Sequence, residues 1–298
     1  MRSLIPGQRG GFRYFENPER HGEGWRAPWG HITSGGTVAN FEAMWIARTL
    51  KFFPFAVRAV AKRFELKDFR INLPDGTRKD TMSATAWGLF NMEPPEILNL
   101  RARLMEACYA KETGGSVPEP ESDRWADFME FSYRIDELLT RNSVACLGLS
   151  GMQARIEGEF PDEDIKQCTM VLTRNHHYCW QKIADALGLG SSQLMLVDVD
   201  ENFRMDMELF ERALNRCLED RIPIVAVVCV CGSTEESSID PLHEVVRLRE
   251  EFARRGLTFY FHSDAASILW DGEGNRMSLH EIAYKWGFGA RPAFAVRP

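Results

Sequence analysis

The second half of the chain alternates short apolar runs with helical stretches, and this alternation constrains the fold more than any other feature. Near-continuous apolar strands separated by helices are typical of a mainly parallel sheet that helices cover on both faces. The predicted strands are residues 143–151, 168–175, 193–200, 222–232 and 257–266. The predicted helices lie near 178–188, 206–219 and 241–255. This pattern predicts an α/β fold whose ligand lies beyond the carboxyl ends of the strands.

The first half of the chain differs in composition and in its predicted secondary structure. Residues 1–30 are rich in glycine, proline, arginine and aromatic residues, and we expect an irregular N-terminal arm there. Residues 31–298 are predicted to form one large domain, with a mostly helical insert at about 51–142. Within the insert, one helix begins at the prolines of "EPPEIL" and stops at Gly114. A second helix is predicted after Ser122 as its N-cap, with Phe128 and Ile135 on its apolar face.

The segment "TSGGTVAN", residues 33–40, introduces a further run with helical spacing. Capping explains a serine or threonine before a helix, but it does not explain two successive glycines. Glycines in that place let backbone N–H groups come close to a ligand. At a helix N-terminus this ligand is often an anion, because the N–H groups and the helix dipole both point at it.

Composition excludes several classes of function. The chain has 298 residues with a formal charge of −7 and a pI near 5.6, which argues against nucleic acid as a partner. No apolar run approaches the roughly 20 residues that span a bilayer, and the N-terminus has no secretory h-region. The seven cysteines form no CxxC pair and indicate reduced thiols in the cytoplasm. Cys229 and Cys231 alternate with valines and are expected in the core.

Chemically useful side chains follow three of the predicted strands. Residues 168–175 lead into "RNHHYCW", residues 222–232 into "GSTEE", and residues 257–262 into "HSDAA". The strand ends therefore offer an imidazole, hydroxyl groups and a carboxylate beside the glycine turn. This set suits a flat, anionic, nitrogen-containing ring, with Asp264 keeping a ring nitrogen protonated and Ala266 under one ring face. A protonated pyridine is an electron sink, as in pyridoxal phosphate.

Five motifs in this order resemble those of the group II pyridoxal-phosphate-dependent amino-acid decarboxylases. They are "HITSGGTVAN", "NHHYCW", "FRMD", "GSTEESSID" and "FHSDAA". The residues of these motifs are most similar to those of the tyrosine decarboxylase branch, which has H-Y-S-W, G-T-T-E-E-G and H-V-D-A-A at these places. The resemblance covers about residues 29–290. It implies the large domain of a fold type I, PLP-dependent transferase-like enzyme, a carboxy-lyase that decarboxylates an aromatic, tyrosine-like L-amino acid.

The resemblance also implies a role for each matching residue. The phosphate would be bound by the turn that contains Gly35, Gly36 and Thr37. His177 would stack on the pyridine ring, whereas its neighbour His176 is expected to be a surface bystander. Thr234 would lie near the cofactor and, with His177, take part in catalysis. Asp264 would pair with the pyridine nitrogen, and Ala266 would pack on the opposite ring face.

The sequence departs from the family pattern after "HSDAA". The family holds its cofactor as a Schiff base on a lysine in a D-x-H-K-like motif well after that point, whereas the last lysine here is Lys285 and no His-Lys dipeptide occurs. We therefore expect a chain truncated before this lysine, without the small C-terminal domain and with impaired activity. Cys179, Ser237 and Ser263 also replace the usual Ser, Gly and Val.

Three interpretations compete. The first is a decarboxylase with a truncated chain, for which a homodimer is expected. The second is a non-catalytic remnant that binds the cofactor or a partner, and that pairs with a fuller-length relative through the family's dimer interface. The third is another α/β class, such as a nucleotide-binding or hydrolase domain, but this would need G-x-G-x-x-G or G-x-S-x-G, and neither occurs. A metal site is not expected, because the adjacent His176 and His177 point in different directions in a helix or a strand.

Overall fold

A four-stranded parallel sheet forms the centre of the computed structural model, which describes residues 33–233 and 235–265. Its strands are β3 (Thr169–Thr173), β4 (Leu194–Val197), β5 (Ile224–Val230) and β6 (Tyr260–Asp264). They lie in the order β4-β3-β5-β6, and each neighbouring pair is parallel. The α/β architecture predicted from the alternating pattern is therefore confirmed, and all four strands present their carboxyl ends at one edge.

Helices surround this sheet. They are α1 (Gly36–Arg63), α2 (Ala86–Phe90), α3 (Pro94–Thr113), α4 (Trp125–Arg141), α5 (Val144–Glu159), α6 (Cys179–Ala186), α7 (Met207–Glu219) and α8 (Leu242–Arg254). The three helices predicted between the strands correspond to α6, α7 and α8. A short antiparallel hairpin, β1 (Arg70–Asn72) and β2 (Arg78–Asp80), interrupts the helical first half.

The two faces of the sheet belong to two cores. Met170, Leu172 and Val228 point to the face covered by α1 and the other helices of the first half. The alternate residues of the same strands, together with the predicted core cysteines Cys229 and Cys231, pack in a second cluster with α7 and α8. Because successive side chains of a strand point to opposite faces, strands buried on both faces must be apolar throughout.

Helix α1 lies along β6 and is fixed near both ends of that strand. The side chain of Asn40 bonds to Asp264 at the carboxyl end, and Nζ of Lys51 donates a 2.7 Å bond to the carbonyl oxygen of Thr258 ahead of β6. Eleven helical residues rise about 16 Å, close to the length of the extended segment between these two contacts. The N-terminus of α1 is thereby held at the edge where the strands end.

The prediction of a strand at 143–151 is wrong, since these residues begin helix α5. Val144, Met152 and Ile156 face the core at helical spacing, whereas Leu147 is exposed. A short apolar run cannot be assigned to helix or strand by periodicity alone. Gly148, at φ 68° and ψ 170°, kinks the helix and separates the apolar run from the amphipathic turns after it.

Two further details of the first half differ from expectation. Ser122 does not cap α4, because the helix starts at Trp125 with Arg124 at the N-cap position, and the Ser122 hydroxyl donates to the carbonyl of Glu119. The apolar face predicted for α4 is confirmed, with Phe128, Phe131 and Ile135 buried. Helix α3 ends as predicted, with Gly114 in the left-handed conformation (φ 72°) that favours glycine.

Candidate active site

Asp264 ends strand β6 and is the buried carboxylate of the site. Only 6% of this residue is exposed. Oδ2 accepts a hydrogen bond of 2.9 Å from Nδ2 of Asn40 and another of 3.0 Å from Nε1 of Trp180. Two donors from different helices on a single oxygen fix the orientation of the carboxylate, because rotation about its side chain would break at least one bond.

Asn40 connects this carboxylate to a second buried group. While Nδ2 of Asn40 donates to Asp264, Oδ1 lies 2.9 Å from Nε2 of His262. A carbonyl oxygen only accepts, so Nε2 of His262 carries the proton in this arrangement. Burial lowers the pKa of His262 to about 4, and the Asp264 carboxylate only partly opposes this effect. His262 is therefore a neutral imidazole at pH 7 and does not neutralise Asp264.

The N-terminus of α1 lies one turn before Asn40. Gly35, at the N-cap, has φ 154° and ψ 166°, a conformation that L side chains rarely adopt. The carbonyl of Gly35 accepts from the N–H groups of Val38 and Ala39, so the amides of Gly36 and Thr37 come before the first donors of the helix. No acidic residue stands in the first turn. This local geometry has the features of an anion-binding helix terminus.

The two histidines after β3 lie in different environments. His176 is half-buried, with Nδ1 2.7 Å from the carbonyl oxygen of Thr173 and Nε2 2.8 Å from the side-chain amide of Gln181. Burial lowers the pKa of His176. The expectation that His176 is a surface bystander is therefore wrong, because the loop turns it inward. His177 is exposed, and its Nδ1 accepts a 3.2 Å bond from the N–H of Cys179.

Cys179, which replaces the serine of the family motif, is buried beside Asn40. Its sulfur lies 3.7 Å from Nδ2 of Asn40, and the hydroxyl of Thr37 also interacts with it. Burial raises the pKa of the Cys179 thiol, so the group stays protonated at neutral pH. A neutral thiol here adds packing and a weak polar contact between α1 and α6, and no charge.

A network of hydroxyl and amide groups lies in the loops that follow β3 and β5. Nδ2 of Asn175 donates to Oγ of Ser238 at 3.0 Å, and Oγ of Ser238 is 3.1 Å from Oγ of Ser233. Ser233 in turn donates to Oε2 of Glu236 at 2.8 Å. The predicted site residues Thr234 and Ala266, like Lys285, lie outside the described residues.

Three residues of the site were not singled out from the sequence. These are Asn40, Trp180 and His262, all of them buried and all bonded to Asp264 or to its direct partner. The sequence did contain an indication of these residues, because each lies inside one of the quoted motifs. Spacing alone could not show that side chains from α1, α6 and β6 meet at one carboxylate.

The donor set fits pyridoxal phosphate. Asp264 is a buried acceptor of the kind that pairs with a protonated ring nitrogen, and the Gly35–Gly36 turn offers backbone N–H groups to a phosphate. The Asn40–Asp264 bond places these two features within one helical turn of each other. An acidic residue in the first turn of α1 would oppose such a ligand, and the first turn of this helix contains none.

Two features are absent from the described part of the chain. No helix there is both long enough and apolar enough to span a bilayer. No group of three or more His, Cys, Asp or Glu side chains there is arranged to hold a metal ion.

Comparison with known proteins shows what this part of the chain is similar to. The model of the pyridoxal-dependent decarboxylase conserved domain matches residues 151–269, which include α6, the sheet and Asp264. L-tyrosine decarboxylase of Levilactobacillus brevis is 29% identical over 238 residues, covering 80% of this chain and 29% of that protein. L-tyrosine decarboxylase of Enterococcus faecalis is 29% identical over 253 residues, covering 85% of this chain and 31% of that protein.

A solved structure gives a weaker match. The glutamate decarboxylase domain of a diaminobutyrate-pyruvate transaminase and L-2,4-diaminobutyrate decarboxylase from Vibrio parahaemolyticus aligns with a TM-score of 0.31 and 23% identity. It covers 34% of this chain and 21% of that chain, which is too little to establish a shared fold by itself.

The chain spans about three tenths of the length of the curated relatives it matches. The part matched by the family model nevertheless contains four of the five motifs and the buried carboxylate around which the site is built, and the cofactor that the family model implies is pyridoxal phosphate. The resemblance predicted from the five motifs is thereby confirmed: residues 151–269 match the pyridoxal-dependent decarboxylase domain, and the L-tyrosine decarboxylases are similar to this chain over 80–85% of its length.

Proposed function

We propose that this chain forms the cofactor-binding part of a pyridoxal-phosphate-dependent amino-acid decarboxylase, a carboxy-lyase. The observation that carries the proposal is the buried Asp264 carboxylate, held by Asn40 and Trp180 one helical turn from the glycine N-cap of α1. When bound, pyridoxal phosphate supplies the electron sink for loss of CO₂. The chain itself must bind the phosphate, hold the ring nitrogen protonated and orient the ring.

Each task has a proposed residue. The backbone amides at Gly35, Gly36 and Thr37 bind the phosphate, and Asp264 holds the proton on the ring nitrogen. His177 stacks on the ring, and its exposure at the start of α6 leaves the imidazole accessible for this contact. Thr234 lies near the cofactor and Ala266 packs on the opposite ring face, as the family motifs imply.

The proposed substrate is an aromatic L-amino acid similar to tyrosine. Support comes from the L-tyrosine decarboxylases, which match over 80–85% of this chain. A shorter match, 36% identity over 96 residues, is to the aspartate 1-decarboxylase of Aliivibrio fischeri. The substrate panel must therefore include aspartate and L-2,4-diaminobutyrate beside tyrosine, phenylalanine and tryptophan.

The remaining features of the proposal concern organisation and surroundings. We propose that residues 31–298 belong to one PLP-binding domain with a helical insert at about 51–142, preceded by an arm at 1–30. We also propose assembly as a homodimer, or with a fuller-length relative, in the cytoplasm. The seven cysteines support a reducing compartment, because none forms a disulfide and six are away from the surface.

The test combines trapping with turnover. The protein is incubated with pyridoxal phosphate and reduced with borohydride, and intact mass and peptide mapping locate any covalent cofactor–lysine link. In parallel, release of CO₂ is measured for each amino acid of the panel. We expect saturable cofactor binding and slow, cofactor-dependent CO₂ release that is fastest with tyrosine, because the sequence has no His-Lys dipeptide for the family's Schiff base.

Other outcomes discriminate between the interpretations. Cofactor binding without CO₂ release from any amino acid would favour a non-catalytic, cofactor-binding protein. Scattered labelling of surface lysines, with no saturable cofactor binding, would contradict the proposal. The variant Asp264→Ala serves as the negative control for specific labelling.

A further inference from the structure

Asn40 is a buried asparagine inside a helix. Both its burial and its helical position are unfavourable for the stability of the fold. Asparagine has a low helix propensity, and an amide removed from water costs free energy unless its hydrogen bonds are satisfied. Asn40 is only 4% exposed and belongs to the first turns of α1. Its amide must therefore have partners, and those partners indicate what the residue does.

The partners of Asn40 fix which way its amide points. Oδ2 of Asp264 can only be an acceptor toward a nitrogen donor, so Nδ2 of Asn40 faces it at 2.9 Å. Oδ1 then faces Nε2 of His262 at 2.9 Å. A flipped amide would bring two oxygen atoms together at Asp264. One side chain of α1 thereby sets both the orientation of the carboxylate and the tautomer of the neighbouring imidazole.

Asn40 also fixes the distance between the N-terminus of α1 and the carboxyl end of β6. It follows Gly36 by four residues, a rise of about 6 Å along the helix. Its bond to Asp264 therefore joins the N-terminus of α1 and the end of β6 into one unit. These are the two places proposed to bind the phosphate and the ring nitrogen. A ligand that must reach both benefits when neither has to move on binding, since ordering a site costs affinity.

We propose that Asn40 is a positioning residue of the cofactor site, which holds the Asp264 carboxylate and the helix N-terminus in register for pyridoxal phosphate. This proposal rests on the proposed function, because it takes Asp264 as the partner of the ring nitrogen. Asn40 touches neither the substrate nor the reacting atoms. It acts through Asp264.

The chain offers a matched control in Asn91. This residue is 1% exposed, follows helix α2, and ties its helix to the segment before β6. Nδ2 of Asn91 donates to the carbonyl of Trp87, and Oδ1 accepts a 2.9 Å bond from the N–H of Thr258. Asn91 is thus a second buried amide linking a helix to the same strand, at the end opposite Asp264.

The first experiment measures the affinity for pyridoxal phosphate by equilibrium dialysis for the wild type, Asn40→Ala and Asn91→Ala. We expect Asn40→Ala to weaken binding about 10-fold, the size of one or two lost hydrogen bonds, and Asn91→Ala to change it less than about 2-fold. Both variants lose a similar amount of stability toward urea. If Asn40→Ala does not fold, Asn40→Leu fills the space without the hydrogen bonds. Equal affinities of the Asn40 and Asn91 variants would overturn the proposal.

The second experiment needs no cofactor. The Nε2–H proton of His262 is observed by NMR of ¹⁵N-labelled protein and assigned with His262→Gln. Its hydrogen bond to Asn40 should place this proton downfield in the wild type and in Asn91→Ala, with an upfield shift in Asn40→Ala. An unchanged signal in Asn40→Ala would overturn the positioning role.

Together, the two experiments separate the possible failures. If the wild type does not bind pyridoxal phosphate, the proposed function fails, whatever the NMR shows. If it binds and Asp264→Ala weakens binding but Asn40→Ala does not, the proposed function survives and the role of Asn40 is wrong. If binding and the NMR signal both respond to Asn40→Ala and neither responds to Asn91→Ala, the positioning role is supported.

Discussion

Nε1 of Trp180 donates a 3.0 Å hydrogen bond to Oδ2 of Asp264. The indole is fully buried and packs edge-on against the ring of His262, with 5.6 Å between ring centroids and an interplanar angle of 67°. A residue of the first turn of α6 is therefore bound directly to the carboxylate at the end of β6. The tryptophan of the "HYCW" motif belongs to the same buried group as the carboxylate of "HSDAA".

The substitution Trp180→Phe tests this contact. Phenylalanine keeps an aromatic ring but has no N–H donor and leaves a small cavity. We expect a loss of about 1–3 kcal/mol in the free energy of unfolding and a roughly 3- to 10-fold weaker affinity for pyridoxal phosphate. Urea unfolding and equilibrium dialysis measure the two effects. Trp125→Phe, at the half-buried start of α4, is the control, and an affinity equally reduced there would refute a specific role for the indole.

A second prediction concerns the turn before α1. Gly35 adopts φ 154°, so an alanine there is strained although nothing lies within 4 Å of its added Cβ. Gly35→Ala should cost about 1–3 kcal/mol or shift the turn, and in both cases weaken the binding of pyridoxal phosphate. The control Gly158→Ala lies in α5 with open space around it and should be neutral or stabilising by up to about 1 kcal/mol. Cofactor affinity that survives Gly35→Ala unchanged would argue against the turn as the phosphate site.

Lys51 provides a prediction about pH. Its amino group is buried against the carbonyl of Thr258, and burial lowers its pKa from 10.5 to about 7. Between these two values the unfolded chain binds more protons at this group than the folded chain, so its contribution to stability rises with pH. The difference in unfolding free energy between the wild type and Lys51→Met should therefore grow by about 1–2 kcal/mol from pH 7 to 8.5. A constant difference would show that Lys51 titrates normally.

Taking the difference between the two proteins is essential in that experiment. Burial raises the pKa of cysteine thiols that do not interact with Lys51, among them Cys108 and Cys217, to about 12. Such groups lower stability as pH rises above the pKa that they have in the unfolded chain. Their effect on stability is therefore opposite in sign to that of Lys51. They are present in both proteins, so their effect largely cancels.

The contribution of Asp240 to stability changes with pH in the opposite direction from that of Lys51. Both of its oxygens accept backbone hydrogen bonds, from Met205 and Val230, yet burial raises the pKa of this carboxyl to about 6. The folded state then binds more protons than the unfolded state between pH 3.8 and 6, so the contribution of Asp240 to stability falls as pH rises through that window. The stability of the wild type relative to Asp240→Asn should fall by about 1–3 kcal/mol from pH 4 to 6.5.

The same variant gives a local readout. An asparagine at position 240 has one acceptor oxygen where the aspartate has two, so the amide of Met205 or Val230 loses its partner. Hydrogen exchange at that amide should accelerate, whereas exchange in the middle of β3 should not. Uniform acceleration throughout the sheet would indicate global destabilisation and contradict the assignment.

The sequence predicted the sheet well because strands buried on both faces must be continuously apolar, as β3 and β5 are. It failed at 143–151, where an apolar run of nine residues is equally compatible with a helix and only packing decides. The hairpin of β1 and β2 was missed because each strand has three residues, too few for a period to be visible.

For the site, the motifs predicted the order of the functional residues but not their contacts. Asp264 could be singled out because it follows a predicted strand and lies in the "HSDAA" motif. Asn40 could not, because its function depends on a contact across 224 residues of sequence. His176 illustrates the same limit: which of two adjacent histidines turns inward depends on the carbonyl of Thr173 and on Gln181, which a linear pattern does not reveal.

The most direct measurement is the equilibrium affinity for pyridoxal phosphate of the wild type and of Asp264→Ala, followed by absorbance as the cofactor is titrated. Asn142→Ala, a half-exposed residue at the end of α4, controls for nonspecific effects. We predict one saturable site in the wild type and in Asn142→Ala, with binding at least about 10-fold weaker in Asp264→Ala, since a bond to a charged partner is lost. Equal binding by all three proteins, or no saturable binding by the wild type, would contradict it.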